Sequence, residues 1–386
     1  MSFATRDMPA HGEDPSYPGT SDHTLFWYFC MISIEIAMLA GLVVVTHLTV
    51  TKGSGLNDPE KVRRIWGRAP EIRFQPVLRP LLFALGVGYG SQTVVHSVLG
   101  SFFALIGVGF RHHVINALLG LISFSAASWL CMVIYRATGG SLLAVCAVSI
   151  VLLDWFMSGV LLDLAFGFYK MLNFSSSFVG FLVFAVIHLL VQAVFQVPFL
   201  IWGQYAKLPA TARLIYNSSI VPGWVKLDRT IVVASGPLAF IYFIAYVCEY
   251  RLTTQSYLGN LTLALATFMI LAAAALAAII SVNRALLASE FQWQWRAFLT
   301  PAIPLGVIKF ISSFISLVTG NTGFFYAIWS VIHFTASCGS CGVLGAYVYM
   351  MLAERYAKAH FDEDELAQDD LLGEFDDDED NEELDV

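Results

Sequence analysis

The chain is short of charge. Asp, Glu, Lys and Arg make up 13% of its 386 residues, while 57% are hydrophobic. An ordinary soluble domain carries about 25% charged residues and needs them to stay in solution. A soluble fold is therefore excluded for most of the chain, and the bilayer becomes its solvent. A disulfide framework is missing as well. Cys30, Cys131, Cys146, Cys248 and Cys338 fall in separate apolar segments, and Cys341 shares the segment of Cys338; such scatter does not read as paired bridges. There is no HExxH for zinc, no GxxxxGK[ST] for nucleotide phosphates and no GxSxG elbow. Cys338-Gly-Ser-Cys341 has redox-like spacing, but it lies in an apolar segment without a metal-completing set and reads as small-residue packing. The expectation is a protein that is not an enzyme, with no cofactor, no metal and no nucleic-acid partner.

Long apolar runs are what the chain has instead. Stretches able to cross about 30 Å of hydrocarbon fall at 25–50, 81–109, 114–135, 141–168, 177–202, 229–250, 258–283, 301–319 and 324–352. They lack the alternation of barrel strands, and lipid demands a backbone satisfied within each segment, so all nine are predicted helices. The expected fold is an all-α polytopic bundle of about nine transmembrane helices. The first run is too long for a signal-peptide core and follows 24 polar residues, so it reads as an uncleaved signal-anchor.

Charge gives the orientation. Sixteen Lys and Arg fall on one side of the nine-span arrangement, in 51–80, at Arg136, in 203–229, in 284–300 and after the last span. Four fall on the other: Arg6, Arg111, Lys170 and Arg251. The positive-inside rule makes the richer side cytosolic, which puts the N-terminus in a lumen and the C-terminus in the cytosol. Residues 361–386 hold fifteen acids and no base, so the rest of the chain sums to about +7. A like-charge block of this kind repels itself and reads as a disordered interaction tail. Three regions are expected: a lumenal segment 1–24, a membrane domain 25–356 and an acidic cytosolic tail 357–386, the tail being a candidate docking point for a cytosolic adaptor or coat.

Ionisable groups inside the spans are the strongest functional hints, because each costs about 2.5–3.5 kcal/mol at mid-helix on insertion scales. Glu35, Asp154, Asp163, His188, Lys309 and His333 qualify. Asp154 lies nearest a span centre, and the expectation is a polar network joining it to Lys309 or to a histidine (His188 or His333). The competing readings are an ion or substrate pathway and a polar water-lined cavity. Gly339, Gly342 and Gly345 lie three apart along one face of the last span. Such a face serves helix packing within the chain or accepts another protein's transmembrane helix as cargo. Trp293, Trp295 and Arg296, between two spans on the basic side, suit an anchor at the headgroup interface.

That last stretch also carries a resemblance. Ala288, Glu290, Trp293, Trp295, Arg296 and Phe298 are similar to the Ala-Glu-Asp-Tyr…Trp-x-Trp-Arg…Phe motif of the transmembrane 9 superfamily, the nonaspanins. Gly339, Gly342, Ala346 and Tyr347 resemble the pattern of its last span, and Gly88, Gly90 and Gln92 its Gly-x-Gly-x-Gln. Phe74-Gln-Pro76 looks like its Phe-Arg-Pro, and Tyr135 with Gly139-Gly140 its short turn after the third span. The matches run in order over 25–356. Family members usually carry a large lumenal domain before the first span, where this chain has 24 polar residues, and end in a short signal where it has the acidic tail. The resemblance implies a Golgi and endosomal membrane protein that sorts or escorts other transmembrane proteins. It supplies no catalytic residue. The alternative function is an ion- or small-solute-coupled transporter using Asp154 and its polar neighbours.

Overall fold

The structure is a computed structural model that describes residues 22–49, 80–106, 113–157, 178–206, 229–251, 257–287, 293–320 and 323–379. Asp163, residues 1–21 and the loops between these ranges lie outside the described residues. Among the described residues the chain is helical throughout. Nine helices follow in order: α1 Asp22–Leu48, α2 Pro80–Leu105, α3 His113–Ala137, α4 Leu143–Met157, α5 Phe178–Tyr205, α6 Arg229–Arg251, α7 Tyr257–Leu287, α8 Trp293–Val318 and α9 Phe324–Glu379.

Six of them, α1, α3, α5, α7, α8 and α9, contain a stretch long and apolar enough to cross a membrane. The apolar stretches of α4 and α6 are shorter, Leu143–Met157 and Val233–Ala245. Helix α2 is interrupted by Gly, Ser, Gln, Thr and His. Outward faces are apolar: Leu190, Val194 and Trp202 on α5, and Phe310, Phe314 and Val318 on α8, are all exposed. Apolar faces of this extent have no place in water, and the chain is an integral, multi-pass membrane protein.

Helices α7 and α9 form the spine. α9 packs on α8, α2 and α7, and α7 packs on α9, α8, α6, α1 and α2. One core gathers α2–α5 against the inner parts of α7 and α9, around Met132, Ile134, Ile150, Leu200 and Met350. A second gathers α6–α9 around Met269, Leu305 and Phe334. Small side chains put α7 at the centre. Ala266, Ala273, Ala274, Ala277 and Ala278 are buried, so neighbouring backbones approach closely where the hydrophobic effect gives no help. In the apolar stretch of α7, 61% of residues are buried, against 6% in α1, which lies at the edge against α7.

Local sequence sets several helix ends. Pro80 opens α2, where its missing N–H costs nothing. After α3, Gly139 takes a φ of 89°. Its N–H bonds Arg136 O at 3.1 Å and that of Gly140 bonds Tyr135 O at 2.8 Å, the paired bonds of a Schellman cap. Arg136 Nη1 reaches across to the C-terminus of α5, donating to the carbonyls of Gly203 at 3.3 Å and Ala206 at 3.1 Å. A cation there meets the negative end of the helix and its unpaired carbonyls. Arg136→Ala is expected to lower stability by about 2 kcal/mol, the range of bonds to a charged group, read as a fall in melting temperature in detergent.

Two expected boundaries move. The stretch expected between the seventh and eighth helices is in part the start of α8, which begins at Trp293, ahead of Pro301 and Pro304. Proline reads as a helix start by sequence, but neighbouring helices make it tolerable inside a membrane helix. Helix α9 runs 56 residues to Glu379, through most of the stretch that composition reads as a disordered tail. Self-repulsion of the acids opposes helix, but extending a helix that already exists avoids the cost of nucleation.

A polar cavity beside a buried carboxyl

The polar residues of α2 lie on one face. Tyr89, Gln92, Thr93, His96 and Ser97 follow the i, i+3, i+4, i+7, i+8 spacing of a helical stripe. Opposite them on α9, Trp329, His333 and Ser337 follow at i, i+4, i+8. Together with Gly120, Ser123 and Phe124 of α3 and Met157 of α4, these residues line a cavity of about 120 Å³. It lies in the half of the bundle where α2 ends and α3 and α9 begin. Tyr89 Oη lies 3.3 Å from Ser337 Oγ. The His333 ring stacks on Trp329 with centroids 4.9 Å apart and meets Tyr89 edge-on at 6.4 Å. Gln92 Oε1 and Trp329 Nε1 have no partner among the described residues. Among the described residues the lining holds no carboxylate and no Lys or Arg. Its groups are imidazoles, hydroxyls and an amide, nearly all able both to donate and to accept.

Asp154 lies one turn before Met157 on α4 and is fully buried. Its Oδ2 accepts a hydrogen bond from Gln196 Nε2 of α5. Among the described residues Asp154 Oδ1 and Gln196 Oε1 have no donor. Gln192, one turn earlier on α5, is also buried, with both amide atoms unpartnered. Tyr89 from α2 and Cys131 from α3 are within electrostatic reach of the carboxyl. Cys131 Sγ in turn touches Cys146 Sγ of α4 at 3.6 Å, as two free thiols.

The polar residues singled out from the sequence do not share one network. Neither Lys309 nor a histidine bonds Asp154. Lys309 Nζ lies 5.6 Å over the Phe334 ring, a cation–π contact on the other core. His333 belongs to the cavity, and His188 is half-buried on α5. Glu35 is fully buried on α1. Trp295 and Arg296 are half-buried in the first turn of α8, which Trp293 opens.

The glycine face of α9 is taken up by the chain itself. A Cβ at Gly339 would fall 2.5 Å from the Phe298 ring of α8. One at Gly342 would fall 2.5 Å from Ala297 O and 2.7 Å from Pro301 Cγ, both of α8, and one at Gly345 would fall 2.7 Å from Ala275 Cβ of α7. This face is closed to a foreign helix.

Sequence reasoning missed Gln196, Gln192, His96 and Tyr89. Weight went to formal charge, and neutral amides and hydroxyls in an apolar run carry little. The stripe spacing on α2 is the signal that finds the cavity. Comparison with models of known families, with curated proteins and with solved structures finds no match for this chain.

Proposed function

We propose that this chain is a non-enzymatic membrane-trafficking factor of the secretory and endosomal pathway, similar to the nonaspanins, that sorts or escorts other transmembrane proteins. In this reading it crosses the membrane nine times, with α2, α4 and α6 completing the set, and lies in Golgi and endosomal membranes. Its N-terminus is lumenal and its C-terminus cytosolic, with the acidic tail open to an adaptor or coat.

One observation supports the reading: among the described residues of the resemblance, Gly88, Gly90, Phe298 and Gly339 fall at close approaches between helices. A Cβ at Gly88 would lie 2.9 Å from Cys131 Cβ, and one at Gly90 would run into Ser340 O. Phe298 of the Trp-containing motif fills the space at Gly339 of the last-helix motif, and Ala346 and Tyr347 are in the main core. Residues far apart in sequence that resemble one family's motifs thus act as one packing set. Contact with cargo falls to the outward apolar faces, because the α9 glycines are occupied.

Two experiments test the proposal. Protease protection of tags in sealed vesicles should expose a C-terminal tag to the cytosolic side and protect an N-terminal one; a protected C-terminus overturns the orientation. A photo-crosslinker at exposed Phe310 should capture glycine-rich single-pass proteins whose surface delivery falls when this protein is depleted. Undiminished delivery after depletion overturns the sorting role.

A further inference from the structure

Among the described residues Asp154 Oδ1 and Gln196 Oε1 are both buried without a donor, yet they belong to two groups already joined by one hydrogen bond. A carboxyl and a primary amide complement each other fully in one protonation state only. The amide N–H donates to one acid oxygen, and the acid O–H donates back to the amide oxygen, closing a cyclic pair. With the acid ionised, the two remaining oxygens are both acceptors and neither can satisfy the other. One proton supplies both at once. A hard metal cation is a poorer answer, since Ca²⁺ for example takes about six to eight oxygens and the surrounding helical carbonyls are committed to their own ladders.

We propose that Asp154 and Gln196 form an intramembrane proton-binding pair, and that the cavity lined by His96 and His333 is the hydrated inlet through which its proton comes and goes. Tyr89 and Met157 link the two places. Both line the cavity; Tyr89 is in electrostatic reach of Asp154, and Met157 is one turn away on the same helix. About 120 Å³ holds several waters, and Gln92 Oε1 and Trp329 Nε1 are the partners such waters need. Among the described residues, Tyr89 from α2 and Cys131 from α3 are within electrostatic reach of the carboxyl and neutral Gln196 from α5 is bonded to it, with no cation among them to hold it as a carboxylate. In the step itself a hydronium ion gives its proton to the carboxylate, leaving water and the neutral acid, and release is the reverse. The inference is independent of the trafficking role and names the ion for the transport alternative.

The test is infrared difference spectroscopy on the full chain in lipid vesicles, wild type minus Asp154→Asn. A protonated-carboxyl C=O band is expected across the neutral pH range. It should be lost in Asp154→Asn, moved to higher frequency by Gln196→Leu, and shifted on transfer to D₂O. A folded wild type without the band overturns the pair. Should Asp154→Asn not fold, the Gln196→Leu displacement decides alone, and an unmoved band overturns the pair. Filling the cavity with Ser97→Trp, or the milder Ser97→Leu, should slow deuterium exchange of the band severalfold. An unchanged exchange rate with the cavity filled overturns the inlet.

Discussion

Gly342→Leu should markedly lower the melting temperature of the protein in detergent. A Cβ alone at this position meets the carbonyl oxygen of Ala297 at 2.5 Å and Pro301 Cγ at 2.7 Å, with Ala278 Cβ 3.2 Å away on α7. A carbonyl in a helix cannot rotate out of the way, so α8 must move from α9. Leucine adds three more carbons into the same space and pushes on α8 and α7, the two helices packed against α9 there. Overpacking costs about 1–3 kcal/mol and occasionally more, and this position belongs at the top of that range. Against a total stability of about 5–15 kcal/mol, the fall should be plain in a melting curve or in size-exclusion chromatography. Gly236→Leu is the control: nothing lies within 4 Å of a Cβ there, and its melting temperature should stay near wild type. A Gly342→Leu protein as stable as the control would mean that α7, α8 and α9 do not meet as described. The same pair of variants separates packing from cargo capture. Cargo delivery lost only together with the protein assigns this face to packing.

The second large effect is expected at Gln196. Replacing it with leucine removes the single hydrogen-bond donor that Asp154 has in the described structure. A buried polar group left unmet costs about 1–3 kcal/mol, and more when charged. Replacing both members, Asp154→Leu with Gln196→Leu, removes the need and should recover much of the loss, since paired apolar replacement is often near neutral. The double-mutant cycle, run on melting temperatures in one detergent, should therefore give a coupling well above the few tenths of a kcal/mol seen for independent sites. Additive effects would show that the two side chains do not stabilise each other.

Much of the architecture was legible because hydropathy is a local property. Each of the nine runs read from composition overlaps a helix among the described residues, six of these helices being long and apolar enough to cross a membrane, and the turn at Gly139-Gly140 falls where the sequence places it. Ends were less legible. Pro301 reads as a boundary because isolated helices do not carry internal proline, whereas α8 carries Pro301 and Pro304 packed within the bundle. Asp154 was found from its charge alone. Gln196 was not, because an amide stands out only once a carboxyl is seen against it.

The sequence by itself determined that the bilayer is the solvent, since 13% charge cannot clothe a soluble surface of this size. It also determined that the elements are helices, because lipid leaves no other open-ended way to satisfy the backbone. Tertiary structure alone decided which faces look inward. Gly339, Gly342 and Gly345 suit a foreign helix as well as a native one by spacing, and the choice was made by Phe298, Ala297 and Ala275 arriving against them. Cys131 and Cys146, in separate segments of the chain, meet at 3.6 Å only because α3 and α4 pack together. Asp154 likewise had three basic candidates in sequence, and the packing of α4 on α5 gave it an amide instead. The physical reason is the same in each case. Periodicity fixes what lies on a helix face, but the partner of that face is set by steric fit between helices distant in sequence, and no local pattern encodes that fit.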